Sequence, residues 1–194
     1  MNASEHKGIR LIVVGGSAGS FRIVSRLITG LPETFDVPLI VCLHRLKNIK
    51  AGMLETIGHI TTREVREPRD KDPVEPNTIY VAPANYHLLL EEDHTFALST
   101  YRTIHHSRPS IDLTMQSAAL VYRAGALGIL LSGANSDGAA GMSAIRQMGG
   151  STLVQDPVDA EIASMPEAAL KVMQPDYIFR EEKIITFIQN LQTR

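Results

Sequence analysis

The sequence predicts an α/β fold in which helices cover both faces of a doubly wound, mostly parallel sheet, with a small antiparallel hairpin added. Three observations support this class. Short β-branched apolar runs alternate with amphipathic stretches along the chain, which is the pattern of repeated β-α-β units. The run at residues 11–14 is apolar at every position, as in a strand that is buried on both faces. Glycine and proline follow a segment of helical spacing, where they end helices.

The first 82 residues contain three apolar runs that predict buried strands, at residues 11–14, 37–43 and 79–82. Between the first two strands, apolar residues recur at helical spacing and are followed by a glycine and a proline: Phe21, Val24, Leu27, Ile28, Gly30 and Pro32. A shorter helix is predicted at residues 51–57. The polar, proline-rich segment 61–77 predicts mainly loop.

The next segments predict a hairpin and then a return to alternating helices and strands. The apolar stretches 87–90 and 95–99 flank four polar residues, as in an antiparallel hairpin. Residues 100–109 are predicted to be loop, and Ser110 is a suitable N-cap for a helix that ends at Gly125. The remaining predicted elements are strands at 126–131 and 151–154 and helices at 138–148, 166–173 and 181–192.

Composition bounds the domain count and the class of partner. The chain has 194 residues, 44% apolar and 21% charged, so one domain over residues 1–194 with its own core is expected. Its single cysteine, Cys42, excludes a disulfide framework and any multi-cysteine metal site. A net charge of -2 gives no basic footprint for nucleic acid or anionic membranes. No apolar run suits export or a membrane span, so we expect a cytoplasmic protein.

The first candidate for chemistry is the G-x-S-x-G segment at residues 15–19, between a predicted strand and a predicted helix. A serine on such a turn stands above the sheet, and the amides that follow it can stabilise an oxyanion. The alternative is a turn that binds phosphate or caps a helix. Neither G-x-G-x-x-G nor a Walker loop is present. Taken alone, the segment leaves both interpretations open.

Two further candidates, His44 and Asp137, follow the predicted strands at 37–43 and 126–131. Each has a structural alternative, because His44 could belong to the edge of the core and Asp137 could cap the helix that begins near Gly138. Ser17, His44 and Asp137 nevertheless all lie at the carboxyl ends of parallel strands, where open α/β sheets place their sites. Serine, histidine and a carboxylate on one rim are the groups that nucleophilic acyl transfer needs.

A series of motifs in unbroken order over residues 9–175 resembles the catalytic domain of CheB-type chemotaxis protein-glutamate methylesterases. The motifs are GGSAGS at 15–20, LH at 43–44, IYVAPANYHLLL at 79–90, SRPSIDLTMQSAA at 107–119, LLSGANSDGAAGM at 130–142, VQDP at 154–157 and MPEAAL at 165–170. The resemblance implies hydrolysis of glutamate γ-methyl esters on chemoreceptor helices, and in some members glutamine deamidation. It implies no cofactor.

The same resemblance assigns roles to individual residues. It makes Ser17 the nucleophile, His44 the general base and Asp137 the carboxylate that orients the histidine. Amides near Ala18 and Gly19 are then expected to hold the oxyanion. Family members usually carry an amino-terminal receiver domain, whereas about ten residues precede the first predicted strand here. Regulation by a covalently attached receiver is therefore not expected, and whether a separate receiver protein is a partner stays open.

The sequence departs from the family pattern beside each of the three groups. Ser17-Ala18-Gly19-Ser20 stands where Ser-Thr-Gly-Gly is common, Arg45-Leu46 follows His44 instead of Met-Pro, and Ala134 replaces a methionine near the site. Two alternatives to the methylesterase therefore stay open. One is a non-catalytic or weakly catalytic domain that binds a receptor or signalling partner, and the other is a small-molecule carboxylesterase.

The other polar residues carry weaker expectations. Arg108 could contact an acidic receptor surface or could belong to a helix-start signal with Asp112. His87 is expected to be structural. The seven histidines show no H-E-x-x-H spacing, so no metal site is expected.

Overall fold

A computed structural model describes residues 8–44 and 52–191 of the chain. Nine strands and six α-helices are present in this part, together with short 3₁₀ turns at Ala18–Ser20 and Arg123–Gly125. The strands are β1 Leu11–Gly16, β2 Leu39–Leu43, β3 Glu64–Arg66, β4 Thr78–Val81, β5 His87–Leu90, β6 Phe96–Ser99, β7 Ala126–Leu130, β8 Ser151–Gln155 and β9 Tyr177–Phe179. The helices are α1 Phe21–Thr29, α2 Met53–Ile60, α3 Ile111–Tyr122, α4 Ala139–Gln147, α5 Ser164–Val172 and α6 Glu181–Gln189.

Seven strands form one sheet in the order β3-β4-β2-β1-β7-β8-β9, and every pairing within it is parallel. β5 and β6 form a separate antiparallel pair, as predicted for the hairpin. The order runs away from β1 in one direction through β2 and β4 and in the other through β7, β8 and β9. The predicted fold class is therefore confirmed.

The alternation of side chains along the central strands divides the core into two layers. Ile12 and Val14 of β1 face a cluster that contains α1, α2 and α6, whereas Leu11 and Val13 face one that contains α3, α4 and α5. All four of these β1 side chains are fully buried. Successive residues of a strand point to opposite faces, so one short run serves both layers, which is why the strand reads as continuously apolar.

Two edge strands were not predicted. β3 lies inside the segment 61–77 that was predicted to be mainly loop, and β9 lies in a segment for which no strand was predicted. Each has three residues and is only partly buried. β3 and β9 are held by pairing with β4 and β8. The sequence of β3, Glu-Val-Arg, contains no apolar run, and the apolar run of β9, Tyr-Ile-Phe, is shorter than the runs of four or more residues that predict strands.

Smaller differences at element ends have local causes. β2 begins at Leu39, two residues later than predicted, because Pro38 has no N–H for the sheet. α5 begins at Ser164, two residues before the predicted start at Pro166, since a proline in the first turn removes only an N–H that has no helical acceptor. The predicted first residue of the helix at 51–57 and the predicted last residue of the helix at 181–192 lie outside the described residues.

Within the described ranges, none of the helices combines the length and the apolar character that crossing a lipid bilayer requires.

Candidate active site

The candidate site lies at the carboxyl edge of the sheet, where the strand order diverges between β1 and β7. Chains leaving these two strands turn in different directions and leave a crevice, which is where open α/β sheets bind ligands. Ser17 follows β1, His44 follows the neighbouring β2 and Asp137 follows β7. The structure thus brings the three predicted residues to one edge of the sheet.

Ser17 lies in a tight turn between β1 and α1. Its backbone N–H donates to the carbonyl of Ser132 at 3.0 Å, and its own carbonyl accepts the N–H of Ser20 at 2.9 Å. The side chain of Ser17 is half-buried. The turn leads directly into the 3₁₀ segment and α1, so the N–H groups after Ser17 lie at the start of helical structure, where the first N–H groups have no intrahelical acceptor.

His44 is placed beside Ser17 by the register of β1 and β2. Gly16 pairs with Leu43, and the next N–H, that of His44, donates to the Gly16 carbonyl at 3.0 Å. The imidazole of His44 is 13% exposed, and its Nε2 lies 2.7 Å from Asp137 Oδ2. Within residues 8–44 and 52–191, no hydrogen bond joins the Ser17 hydroxyl to His44. The structure therefore contains the contact between imidazole and carboxylate, and the paired strands place Ser17 and His44 at neighbouring positions of the sheet edge.

Asp137 is fully buried and accepts four hydrogen bonds. Its Oδ2 accepts from His44 and from the N–H of Ile111 at 2.8 Å. Its Oδ1 accepts from the N–H of Asp112 and from the Ser110 hydroxyl, each at 2.9 Å. Two of these donors are the first N–H groups of α3, so the carboxylate lies at a helix N-terminus, which favours a negative charge.

The pKa of Asp137 is lowered from its ordinary value, although burial on its own would raise it. The hydrogen bonds from the His44 side chain and from the N–H groups of Asp112 and Ile111 act in the opposite direction and outweigh burial. Asp137 is thus ionised at neutral pH despite being buried. An ionised carboxylate can fix the orientation of an imidazole and stabilise its protonated form.

The structural alternative for Asp137 in the sequence was a cap on the helix near Gly138, and the structure shows a different arrangement. Asp137 precedes α4 but caps α3. Asp112, in the first turn of α3, accepts from the N–H groups of Gly138 and Gly141 at 2.8 Å each and so caps α4. The two helices exchange capping carboxylates, which couples the position of Asp137 to the packing of α3 on α4.

Asp112 also meets a histidine from the loop at 100–109. Its pKa is raised by burial and, in smaller part, by the charge of Asp137, while its hydrogen bonds to Gly141 and Gly138 lower it. His105 Nε2 lies 3.4 Å from Asp112 Oδ2. His105, Asp112 and Asp137 could approach a common cation, but the four hydrogen bonds on Asp137 already fill the acceptor capacity of its carboxylate.

The contact between α3 and α4 depends on a residue without a side chain. A methyl group at Gly141 would lie 2.6 Å from Met115 Cβ and 3.2 Å from the Asp112 carbonyl oxygen. We expect Gly141→Ala to separate the helices, weaken both caps and lower the free energy of unfolding by about 1–3 kcal/mol, measured by urea denaturation. Gly58→Ala is the control, because Gly58 lies within α2 with open space around it. This variant should have a free energy of unfolding up to about 1 kcal/mol higher than that of the wild type. Equal effects in the two variants would contradict this account of the contact.

Ser132 connects the turn that contains Ser17 to the loop after β8, and the sequence analysis gave it no role. Its carbonyl accepts the Ser17 N–H and the Ser20 hydroxyl, the latter at 2.7 Å. Its own hydroxyl accepts the N–H of Ile162 at 2.8 Å. Ser132 is 3% exposed. The signal that could have identified it is the one used for His44, a polar residue directly after a buried strand.

The remaining predicted site residues are placed as follows. Ala18 and Gly19 lie in the 3₁₀ turn after Ser17, and Ala134 is exposed in the loop between β7 and α4. Arg108 Nη1 donates to the carbonyls of Thr100 and Tyr101 at 2.7 and 3.0 Å. This guanidinium therefore fastens the loop before α3. Arg45 and Leu46, which distinguish this chain after His44, lie outside the described residues.

His87 has contacts that fit the expected structural role. It is fully buried. Its Nδ1 accepts the N–H of Ser110 at 3.2 Å, and its Nε2 donates to the carbonyl of Arg102 at 3.1 Å. The imidazole thus links the loop at 100–109 to Ser110, the residue that precedes α3.

Comparison with known proteins gives one consistent family. The sequence profile described as CheB methylesterase matches residues 12–188. A Leptospira interrogans protein with the provisional name protein-glutamate methylesterase/protein-glutamine glutaminase is 38% identical over 173 residues, which cover 89% of this chain and 90% of that protein. A protein of the same activity name from Methanospirillum hungatei is 33% identical over 189 residues, which cover 97% of this chain and 54% of that protein.

A solved structure has the same fold. The crystal structure of the Thermotoga maritima CheB methylesterase catalytic domain superimposes with a TM-score of 0.87 and 26% sequence identity. The match covers 95% of this chain and 99% of that one.

Proposed function

Because the chain belongs to the CheB methylesterase family, we propose that it hydrolyses γ-methyl esters of glutamate side chains on chemoreceptors and releases methanol. The relatives are named for a second activity, protein-glutamine glutaminase. Ester and amide hydrolysis both proceed by attack on the same γ-carbonyl, so one site can serve both reactions. We assign both to the edge of the sheet that holds Ser17, His44 and Asp137.

The observation that carries this proposal is the 2.7 Å contact between His44 Nε2 and Asp137 Oδ2, directly beside Ser17. The carboxylate is buried and ionised and the imidazole is nearly buried, so the pair is held away from competing water. A histidine oriented by a carboxylate next to a serine is the arrangement that activates a hydroxyl as a nucleophile.

The contact with Asp137 sets the tautomer of His44 in the proposed mechanism. Nε2 carries the proton that it donates to Asp137, so Nδ1 carries the free lone pair. Nδ1 then accepts the proton of the Ser17 hydroxyl as Ser17 Oγ attacks the γ-carbonyl. The distance between the hydroxyl and the imidazole shortens when substrate is bound, as is common for catalytic hydrogen bonds that are long in free enzymes.

The N–H groups of Ala18 and Gly19 are the proposed oxyanion donors, because they follow the nucleophile at the start of helical structure. The tetrahedral intermediate collapses when protonated His44 gives its proton to the leaving methoxide, which departs as methanol. Water then attacks the acyl-enzyme, with His44 again as the base, and the products are a glutamate carboxylate and free Ser17. Ammonia is the leaving group when the substrate is glutamine.

Methanol release from a methylated chemoreceptor tests this function. We expect the purified chain to release methanol from the receptor at a rate proportional to enzyme concentration. The rate enhancement over spontaneous hydrolysis should be smaller for p-nitrophenyl esters than for the methylated receptor. An active-site phosphonate should label one serine, identified by peptide mapping as Ser17. Rapid p-nitrophenyl ester hydrolysis without methanol release would instead support a small-molecule carboxylesterase, and neither activity nor labelling would support a binding domain.

A further inference from the structure

Glu161 lies in the loop between β8 and α5, against the turn that carries the nucleophile. A methyl group placed at Gly19 would lie 3.0 Å from Glu161 Oε2 and 3.6 Å from Oε1. The loop is held in this position because Ile162, the next residue, exchanges hydrogen bonds with the Ser132 hydroxyl. Ser132 in turn accepts the Ser17 N–H. The backbone of this loop is therefore held so that Glu161 lies at the edge of the candidate site.

Within the described part of the chain, the Glu161 carboxylate forms no ion pair and accepts no hydrogen bond, whereas its acidic neighbours do. Asp156 lies 3.5 Å from Arg180, and Asp159 accepts from the N–H of Glu181 at 2.8 Å and from the Gln155 side chain at 3.1 Å. These two aspartates fasten their loop to the rest of the fold. Glu161 is exposed and fastens nothing, so its negative charge acts on whatever occupies the adjacent site.

We propose that Glu161 is a specificity-determining residue that disfavours a free carboxylate at the site and so favours neutral ester and amide side chains. This inference rests on the proposed function and names its substrate class more narrowly. It also gives the enzyme a means of releasing its product, because hydrolysis turns a neutral side chain into an anion beside Glu161. Unmodified glutamates on the same receptor are disfavoured competitors for the same reason.

The charge balance of the reaction explains why Glu161 acts on the product more than on the transition state. In the transition state a proton moves from Ser17 to His44, so a developing imidazolium accompanies the developing oxyanion and the net charge of the site is unchanged. A bound product carboxylate beside neutral His44 carries a full additional negative charge. In the transition state, Glu161 therefore interacts with a pair of opposite charges, whose effects on it partly cancel. In the product complex it interacts with an uncancelled negative charge, and this repulsion is stronger.

The test uses a short peptide that carries one glutamate, its γ-methyl ester or glutamine at a single position. We expect Glu161→Gln to bind the glutamate peptide about 3- to 10-fold more tightly than the wild type at low salt, with the difference reduced at high salt. Its kcat/KM for the methyl ester should change by less than about 3-fold. Glu161→Lys should strengthen glutamate binding further.

Glu167→Gln is the matched control, because Glu167 is an exposed glutamate of α5 near the same loop; we expect no change in either quantity. If the wild type hydrolyses the ester but Glu161→Gln binds glutamate no more tightly, the role of Glu161 is refuted and the proposed function stands. If Glu167→Gln has the same effect as Glu161→Gln, the effect is one of overall charge and the role is likewise refuted. A wild type that hydrolyses no ester would overturn both proposals.

Discussion

Replacing Ser17 with alanine should lower methanol release from methylated receptor by about 10³- to 10⁶-fold, as expected for loss of a nucleophile that acts as a unit with its base. The folded structure should be unaffected, since Ser17 is held by its backbone N–H and carbonyl and alanine retains both. The measurement is initial-rate methanol release, together with the urea midpoint of each variant. His44→Ala should lose activity to a similar extent.

Ser25→Ala is the matched control for this experiment. Ser25 lies in α1, eight residues after Ser17, and its hydroxyl donates to the Phe21 carbonyl within the helix at 2.9 Å. We expect Ser25→Ala to retain wild-type activity and phosphonate labelling. Near-wild-type methanol release by Ser17→Ala would remove Ser17 from the mechanism and with it the acyl-enzyme.

Replacing Asp137 with asparagine should lower turnover by about 10⁴-fold and also destabilise the fold, a combination not expected for Ser17. When the amide NH₂ faces His44 it donates to Nε2, whereas the carboxylate accepts from Nε2. The imidazole proton then lies on Nδ1, so the imidazole loses the tautomer in which Nδ1 is the base. The amide NH₂ takes the place of one carboxylate oxygen. At the Oδ2 position it faces His44 and the N–H of Ile111, and at the Oδ1 position it faces the Ser110 hydroxyl and the N–H of Asp112. Because buried donors then lose their acceptor, we expect the free energy of unfolding to fall by about 2–4 kcal/mol at pH 7.

The stability effect should depend on pH in a defined direction. The pKa of Asp137 is lower in the folded chain than its ordinary value, so the folded state favours the carboxylate. Its contribution is fully present above the unfolded pKa of about 3.9 and is lost as the pH falls through the folded pKa. Urea denaturation should therefore show a difference between wild type and Asp137→Asn that is present at about pH 5 and shrinks as the pH falls below about pH 4.

Two results would contradict this account of Asp137. A stability difference that grows as the pH falls below about pH 4 would mean that the carboxylate is not favoured by folding. Loss of turnover without any loss of stability would mean that the hydrogen bonds to the start of α3 do not support the fold. Asp36→Asn is a suitable reference for surface effects, because Asp36 is an exposed aspartate in the loop before β2.

The sequence by itself determined the central architecture and the three candidate groups. The strands β1, β2, β4 and β7 are buried on both faces, so each is a short, mostly apolar run, and such runs are visible without neighbours. Parallel strands share one carboxyl edge, so Ser17, His44 and Asp137 could be expected to lie near one another from their positions after three of these runs. The motif series then indicated the family.

The tertiary structure decided what depends on contacts between distant segments. β3 and β9 exist because neighbouring strands supply their hydrogen bonds. The exchange of caps between Asp112 and Asp137 depends on two helices meeting at the sheet edge, and only that meeting shows why a buried aspartate stays charged. Glu161 was one acidic residue among several until the fold laid it against Gly19. Periodicity records which face of an element is buried, whereas a hydrogen bond or a charge acts over a few ångströms that only the folded chain defines.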